Sequence, residues 1–214
     1  MEEPLYPGFT QQAADLVAVG RRFDAQGWVP ASSGNFSARL AEDEIAITAS
    51  GCHKGEIGPE DILRINLQGE LLGGDTHRRS SYETGLHLQL YQRDTSIGAV
   101  LHSHSVAATV LSRHCGQAMQ LQGYELQKLF TGFEDPQQPL TLPVFANEQN
   151  IAALASEIDA YMDENGTGQA YLIAGHGLYA WGETIKQARY RIEALEFMLA
   201  CELHKSTGQC ETME

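Results

Sequence analysis

Three histidines have the type and spacing for metal chemistry. His102 and His104 are two apart in Leu101-His102-Ser103-His104-Ser105, and His176 sits between Gly175 and Gly177. Neutral imidazoles bind zinc and neighbouring divalent metals, and three protein ligands leave a position open, the mark of a catalytic rather than a structural metal. A lone His-x-His pair reads equally well as two polar residues where a strand leaves the core. The third histidine, after a similar apolar run, favours the metal reading.

Two glutamates could move protons beside such a metal. Glu83 follows Ser80-Ser81-Tyr82 and Glu125 follows Gln122-Gly123-Tyr124, each opening an expected helix. Negative charge is favourable at a helix start, so each also has a plain structural role. Three small-residue loops, at Ser33-Gly34-Asn35, Ser50-Gly51-Cys52-His53-Lys54 and Ser80-Ser81, offer hydroxyls and backbone amides of the kind that hold phosphate, and Lys54 adds a cation. None matches a P-loop or a dinucleotide fingerprint, and each is also readable as an ordinary turn. The remaining histidines (His53, His77, His87, His114, His204) fall in loops or on helices without evident partners and are expected to be solvated or packed.

The elements that must position these residues follow from periodicity. Ile97 to Leu101 is a small or apolar run that reads as a buried strand, and side chains two apart on a strand share a face, so His102 and His104 converge. Ala170 to Ala174 reads as a second buried strand delivering His176. Further strands are expected from Asn35 through Leu40, at Glu44 to Thr48, Ile62 to Leu67, Met119 to Leu121, Leu140 to Phe145 and Leu178 to Trp181. Helices are expected from Thr10 to Gln26, Tyr82 to Arg93, Val106 to Arg113, Gly123 to Phe130, Gln149 to Met162 with Asn147 as its cap, and Glu183 to His204. Residues 73 to 81 read as a polar, Gly-rich loop. Strands and helices are mixed without regular βαβ alternation, so one domain over residues 1–214 is expected, α+β or a layered α/β/α sheet.

Composition excludes several partners. The chain has 214 residues with 43% apolar and 20% charged, ordinary for a globular domain, and a formal charge of -14. That charge argues against nucleic acid and anionic membranes, while a small anionic substrate can still be held locally. No run approaches the length of a membrane span, and the acidic start MEEPLYPGF lacks the features of a signal peptide. The four cysteines (Cys52, Cys115, Cys201, Cys210) form no CxxC pair, which fits a reducing cytoplasm.

Taken in order, SSGNFS (32 to 37), ITASG (47 to 51), SSYET (80 to 84), HSHS (102 to 105) and GHGLYAWG (175 to 182) resemble the class II aldolase/adducin family across nearly the whole chain. The resemblance implies a three-layer α/β/α sandwich around a mostly antiparallel sheet, assembled as a homotetramer. It implies zinc on His102, His104 and His176, and a substrate phosphate held by Gly34, Asn35, Ser50, Gly51 and Ser81. Family aldolases typically read Ser-Ser-Glu, whereas Tyr82 stands between Ser81 and Glu83 here, so only Ser81 is carried over. SSYETGLHLQLYQ (80 to 92), GYELQKLF (123 to 130) and VFANEQNIAALA (144 to 155) are most similar to the branch that removes water from a methylthio-substituted ketopentose phosphate in methionine salvage. In that branch the acid/base residue corresponds to Glu125; in the sugar-phosphate aldolases it corresponds to Glu83. Both glutamates are present, so carbon–carbon cleavage stays open, and a non-catalytic adducin-like module is the remaining alternative.

Overall fold

A computed structural model describes residues 7–73 and 77–208. The acidic first residues, part of the loop expected at 73 to 81, and Cys210 lie outside the described residues. Eight strands form one sheet: β1 (Asn35–Ala41), β2 (Glu44–Thr48), β3 (Ile62–Asn66), β4 (Ala99–Ser103), β5 (Ala118–Leu121), β6 (Leu140–Phe145), β7 (Ala170–Ile173) and β8 (Gly177–Gly182). Their order is β3-β2-β1-β4-β8-β7-β6-β5, and only β6 with β7 runs parallel. Helices α1 (Pro7–Ala25), α2 (Thr84–Arg93), α3 (Val106–Ser112), α4 (Ile151–Asn165) and α5 (Ile185–Gly208) cover it.

The alternation of the strands builds two apolar layers. Ala99 and Leu101 of β4, with Leu178 and Ala180 of β8, pack against α1, α3 and α5 through Leu16, Ala108, Leu195 and Met198. Val100, Tyr179 and Trp181 face the other way, onto α2 and α4 through Leu86, Leu90, Leu154 and Ile158. The three-layer, mostly antiparallel sandwich is therefore present.

Several boundaries differ from those expected. Helix α1 begins at Pro7 rather than Thr10, and the segment expected as a helix from Gly123 narrows to a 3-10 turn, Glu125–Leu129. Helix α4 is capped by Asn150, whose side chain accepts from the Ala153 amide, and not by Asn147. Two asparagines three apart before the same apolar repeat present the same capping signal. What separates them is a long-range contact that Asn147 makes at the site.

Candidate metal centre

Strand β4 carries His102, and the residues just after it His104, out of the middle of the sheet. Its register places Asn35 of β1 opposite His102, and Tyr179 of β8 opposite His102 on the other side, with Tyr171 of β7 opposite Tyr179. These side chains make one row across four strands on the α2/α4 face. The His102 ring stacks on Tyr179 with centroids 3.9 Å apart, and Tyr179 stacks on Tyr171 at 4.9 Å. His104, two residues on, comes out on the same side, its ring 4.3 Å from that of His102. His176 enters from the β7–β8 turn. Gly177 makes this approach possible, because a Cβ there would lie 2.0 Å from the Ser103 carbonyl oxygen.

Glu83 caps the start of α2 without a side-chain capping bond, and its carboxylate turns instead to the histidines. Donor atoms of Glu83, His102, His104 and His176 all lie within 4.8 Å of one another. Glu83 Oε1 is 2.8 Å from His176 Nε2, Glu83 Oε2 is 3.7 Å from His102 Nε2, and the two Nε2 atoms are 3.2 Å apart.

Hydrogen bonds behind the site fix the tautomers. His102 Nδ1–H donates to the Leu178 carbonyl at 3.0 Å, and His176 Nδ1–H donates to Asn147 Oδ1 at 3.2 Å. Each ring then presents an Nε2 lone pair to the centre. Three acceptor atoms, two imidazole nitrogens and a carboxylate oxygen, thus face one another, and His104 Nε2 is buried without a hydrogen-bond partner. Such an arrangement is repulsive unless a cation lies among them. A proton on His102 or His104 is a poor candidate: burial, then mutual repulsion of the rings, lowers His102 well below the usual histidine range and His104 to about 4. A divalent metal fits, since bonds of about 2.0–2.1 Å in tetrahedral geometry set ligand nitrogens roughly 3.3 Å apart.

A second chain of hydrogen bonds orients Glu83. Asn35 Nδ2–H donates to Glu83 Oε2 at 2.6 Å, and Asn35 Oδ1 accepts from His87 Nε2–H. His87 Nδ1 accepts from Ser37 Oγ at 2.7 Å, and Ser37 Oγ lies 2.9 Å from the Tyr91 hydroxyl. Burial lowers His87 to about 4, so it stays neutral and this polarity is fixed. For Glu83, burial pulls its pKa up, but positive charge placed at His176 and His102, together with the Asn35 amide, outweighs it, and with neutral rings a cation among them is what supplies that charge. Its carboxyl is held well below the usual range. His87, expected to have no partner, is instead a buried link in the site. Its position four residues after Glu83, one helical turn on, was the available signal.

The three small-residue loops are tied together beside the cluster. The Ser50 amide donates to the Arg79 carbonyl and Ala49 bridges Ser80, which brings the loop at Ser50 and Gly51 against the one at Ser81. Buried Lys54 donates to the carbonyls of Ser32 at 3.2 Å and Cys52 at 2.7 Å, joining both to the turn at Gly34. The Asn35 carboxamide is engaged by Glu83 and His87, whereas Ser50 and Gly51 are exposed and Ser81 is half-buried. Glu125 is not among the gathered donors. Its side chain is 75% exposed and pairs with Lys128 at 2.5 Å.

Comparison with known proteins gives the family and the fold. The family model described as the Class II Aldolase and Adducin N-terminal domain matches residues 14–203. The methylthioribulose-1-phosphate dehydratase of Sorangium cellulosum (strain So ce56) is 48% identical, over 92% of this chain and 94% of its own length. The protein of the same name from Marinobacter nauticus is 47% identical, over 91% and 94%. The crystal structure of l-fuculose-1-phosphate aldolase from Thermus thermophilus superposes with a TM-score of 0.75 at 26% identity, covering 94% of this chain and 98% of that one. With three histidines and a glutamate gathered at the end of a shared sheet, and a family model spanning almost all of it, this chain belongs to the class II aldolase and adducin N-terminal domain family.

Proposed function

We propose that the chain is a zinc-dependent dehydratase that converts 5-methylthioribulose 1-phosphate to water and 2,3-diketo-5-methylthiopentyl 1-phosphate in methionine salvage, as a cytoplasmic homotetramer. One observation carries the reading: His102, His104, His176 and Glu83 present cation-seeking atoms at one point, in a chain 48% identical to a named dehydratase. Zinc held by the three imidazoles would supply a Lewis acid to the substrate carbonyl and raise the acidity of the neighbouring C–H.

The chain's own groups do the rest. Leu178 and Asn147 keep the His102 and His176 lone pairs aimed inward. Gly34, Ser50, Gly51 and Ser81, with the backbone of Asn35, hold the phosphate and fix the reacting carbons. Glu125 takes the proton from C3 and the electron pair shifts towards the carbonyl; the pair then returns to form the C3–C4 double bond, the C4 hydroxyl leaves as water with the proton Glu125 holds, and the C3 enol tautomerises to the 2,3-diketone by moving its proton to C4. Glu83, whose proton affinity is depressed by its partners, is a weak base and serves as the carboxylate facing the cation. Because Glu125 lies outside its own chain's cluster, a neighbouring subunit supplies it in this reading.

Incubating the zinc-loaded protein with methylthioribulose phosphate and measuring product mass tests the proposal. Loss of one water supports it. Release of a three-carbon phosphate and an aldehyde transfers the chain to the aldolase reading, which the place of Glu83 in the cluster favours. Glu125→Gln is expected to keep zinc and phosphate but lose roughly 10²–10⁴-fold in turnover; full activity in that variant removes the assignment.

A further inference from the structure

We propose that a recess beside His176, walled by Tyr82, Ile151, Leu154 and Ile173, is the subsite for the uncharged apolar end of the substrate, accepting a short thioether or alkyl tail. The inference rests on the dehydratase reading and assigns residues to the part of the molecule that the phosphate loops and the metal do not touch.

Four observations lead there. The recess opens directly on Glu83 and His176, so a group lodged in it belongs to a molecule reacting at the cluster. Its volume is about 50 Å³, several times the roughly 10–15 Å³ that one water requires, so it has room for a small group. Its charged lining residues are the carboxylates of Glu83 and Glu148, with no lysine or arginine, so an anionic group is repelled while the aliphatic walls favour an apolar one.

The fourth observation is the posture of Tyr82. Its side chain stands 72% exposed, yet its hydroxyl donates to the Gln149 carbonyl at 2.8 Å, so the ring spans the gap between the start of α2 and the segment before α4. Gly85 lets those two segments close, since a Cβ there would come within 2.9 Å of Ile151 Cγ2. The chain divides at this point. Ser81 accepts the Glu83 amide and lies beside the Ser50 loop, while Tyr82 reaches away to Gln149. A substrate whose phosphate sits on the Ser81 side therefore lays its opposite end against Tyr82.

The test compares kcat/KM for methylthioribulose phosphate with that for 5-deoxyribulose 1-phosphate, in which hydrogen replaces the methylthio group. Wild type is expected to prefer the longer substrate by roughly 10-fold to 200-fold. Tyr82→Ala, which removes the exposed wall, and Ile151→Phe, which fills the recess, should each bring the ratio close to unity while the 5-deoxy substrate reacts as before. Calorimetric binding of the two corresponding polyol phosphates, which have no carbonyl to react, should show the same preference and the same loss.

An unchanged ratio in both variants, or an equal fall for both substrates, overturns the subsite. If wild type releases no water from methylthioribulose phosphate yet still binds the methylthio polyol more tightly and loses that preference in the variants, the dehydratase reading falls and the subsite stands.

Discussion

His102 and Ser103 are neighbours on β4, yet they enter opposite layers, and the two layers deal with buried polar groups in different ways. On the α2/α4 face, Tyr91, Ser37, His87, Asn35 and Glu83 satisfy one another in sequence, each link fixing the donor and acceptor of the next. The chain ends at a point where acceptors face acceptors. On the α5 face, Ser103 Oγ donates to Glu196 at 2.6 Å, and the other oxygen of that carboxyl has no partner among the described residues. Glu196 is 2% exposed, and burial pushes it up to about 7. A shortage of positive charge is thus met by a proton on one face below about pH 7, and on the other leaves a place that a cation would fill. Connectivity makes the difference: a network with fixed tautomers cannot absorb a proton locally, whereas a carboxyl with one oxygen left open can.

The largest effect should come from cutting into that shortage. His176→Ala removes one of the three inward lone pairs and should abolish metal retention after dialysis, together with activity, by more than the roughly 10–100-fold typical of outer partners. Glu196→Ala should leave metal content intact and instead lower stability by about 1–3 kcal/mol, because the Ser103 hydroxyl loses its acceptor. Metal analysis beside denaturant unfolding separates the two faces. If Glu196→Ala also empties the site, the faces are not independent.

A smaller effect tests the network behind the cluster. His87→Phe deprives Asn35 Oδ1 of its donor, so the amide is free to rotate and Glu83 loses its orientation. The expected cost is about 10–100-fold in metal affinity or turnover, partly restored in His87→Gln, which can still donate. Equal activity in wild type and His87→Phe would reduce the network to packing.

These same links show what the sequence could and could not disclose. A strand's two-residue period was enough to put His102 and His104 on one side, and glycines flanking His176 marked a close approach that Gly177 then makes with Ser103. Apolar runs left α+β and a layered sheet both open, and the resemblance to the class II aldolase/adducin family supplied the three-layer, mostly antiparallel sandwich. Asn147 and His87 escaped because their partners are remote: 29 residues separate Asn147 from His176, and 52 separate His87 from Asn35. Local pattern assigned the first to a helix cap and left the second solvated or packed, without a partner. The recess at Tyr82 escaped for the same reason, since it forms only where the start of α2 meets the segment leading into α4.

The finest distinction between the faces is in pH. His87 is lowered to about 4 from its ordinary 6.5 by burial, so as pH falls below 6.5 the unfolded chain takes up a proton that the native state refuses, and stability is lost towards pH 4. Glu196 is raised to about 7 from 4.5, so between those values the native state keeps a proton the unfolded chain has released, and stability is lost as pH rises. Each contribution is on the order of 3 kcal/mol over its window, and the two windows overlap with opposite slopes. Across pH 4.5 to 6.5 they largely cancel in the wild-type protein. Glu196→Gln retains an acceptor for Ser103 but cannot titrate, so stability should rise with pH more steeply than in wild type. His87→Gln should tilt the curve the other way. Unfolding midpoints measured in chelator hold the ligand histidines' contribution common to all three proteins, and parallel curves would mean that the layers on either side of β4 do not differ as their hydrogen bonding implies.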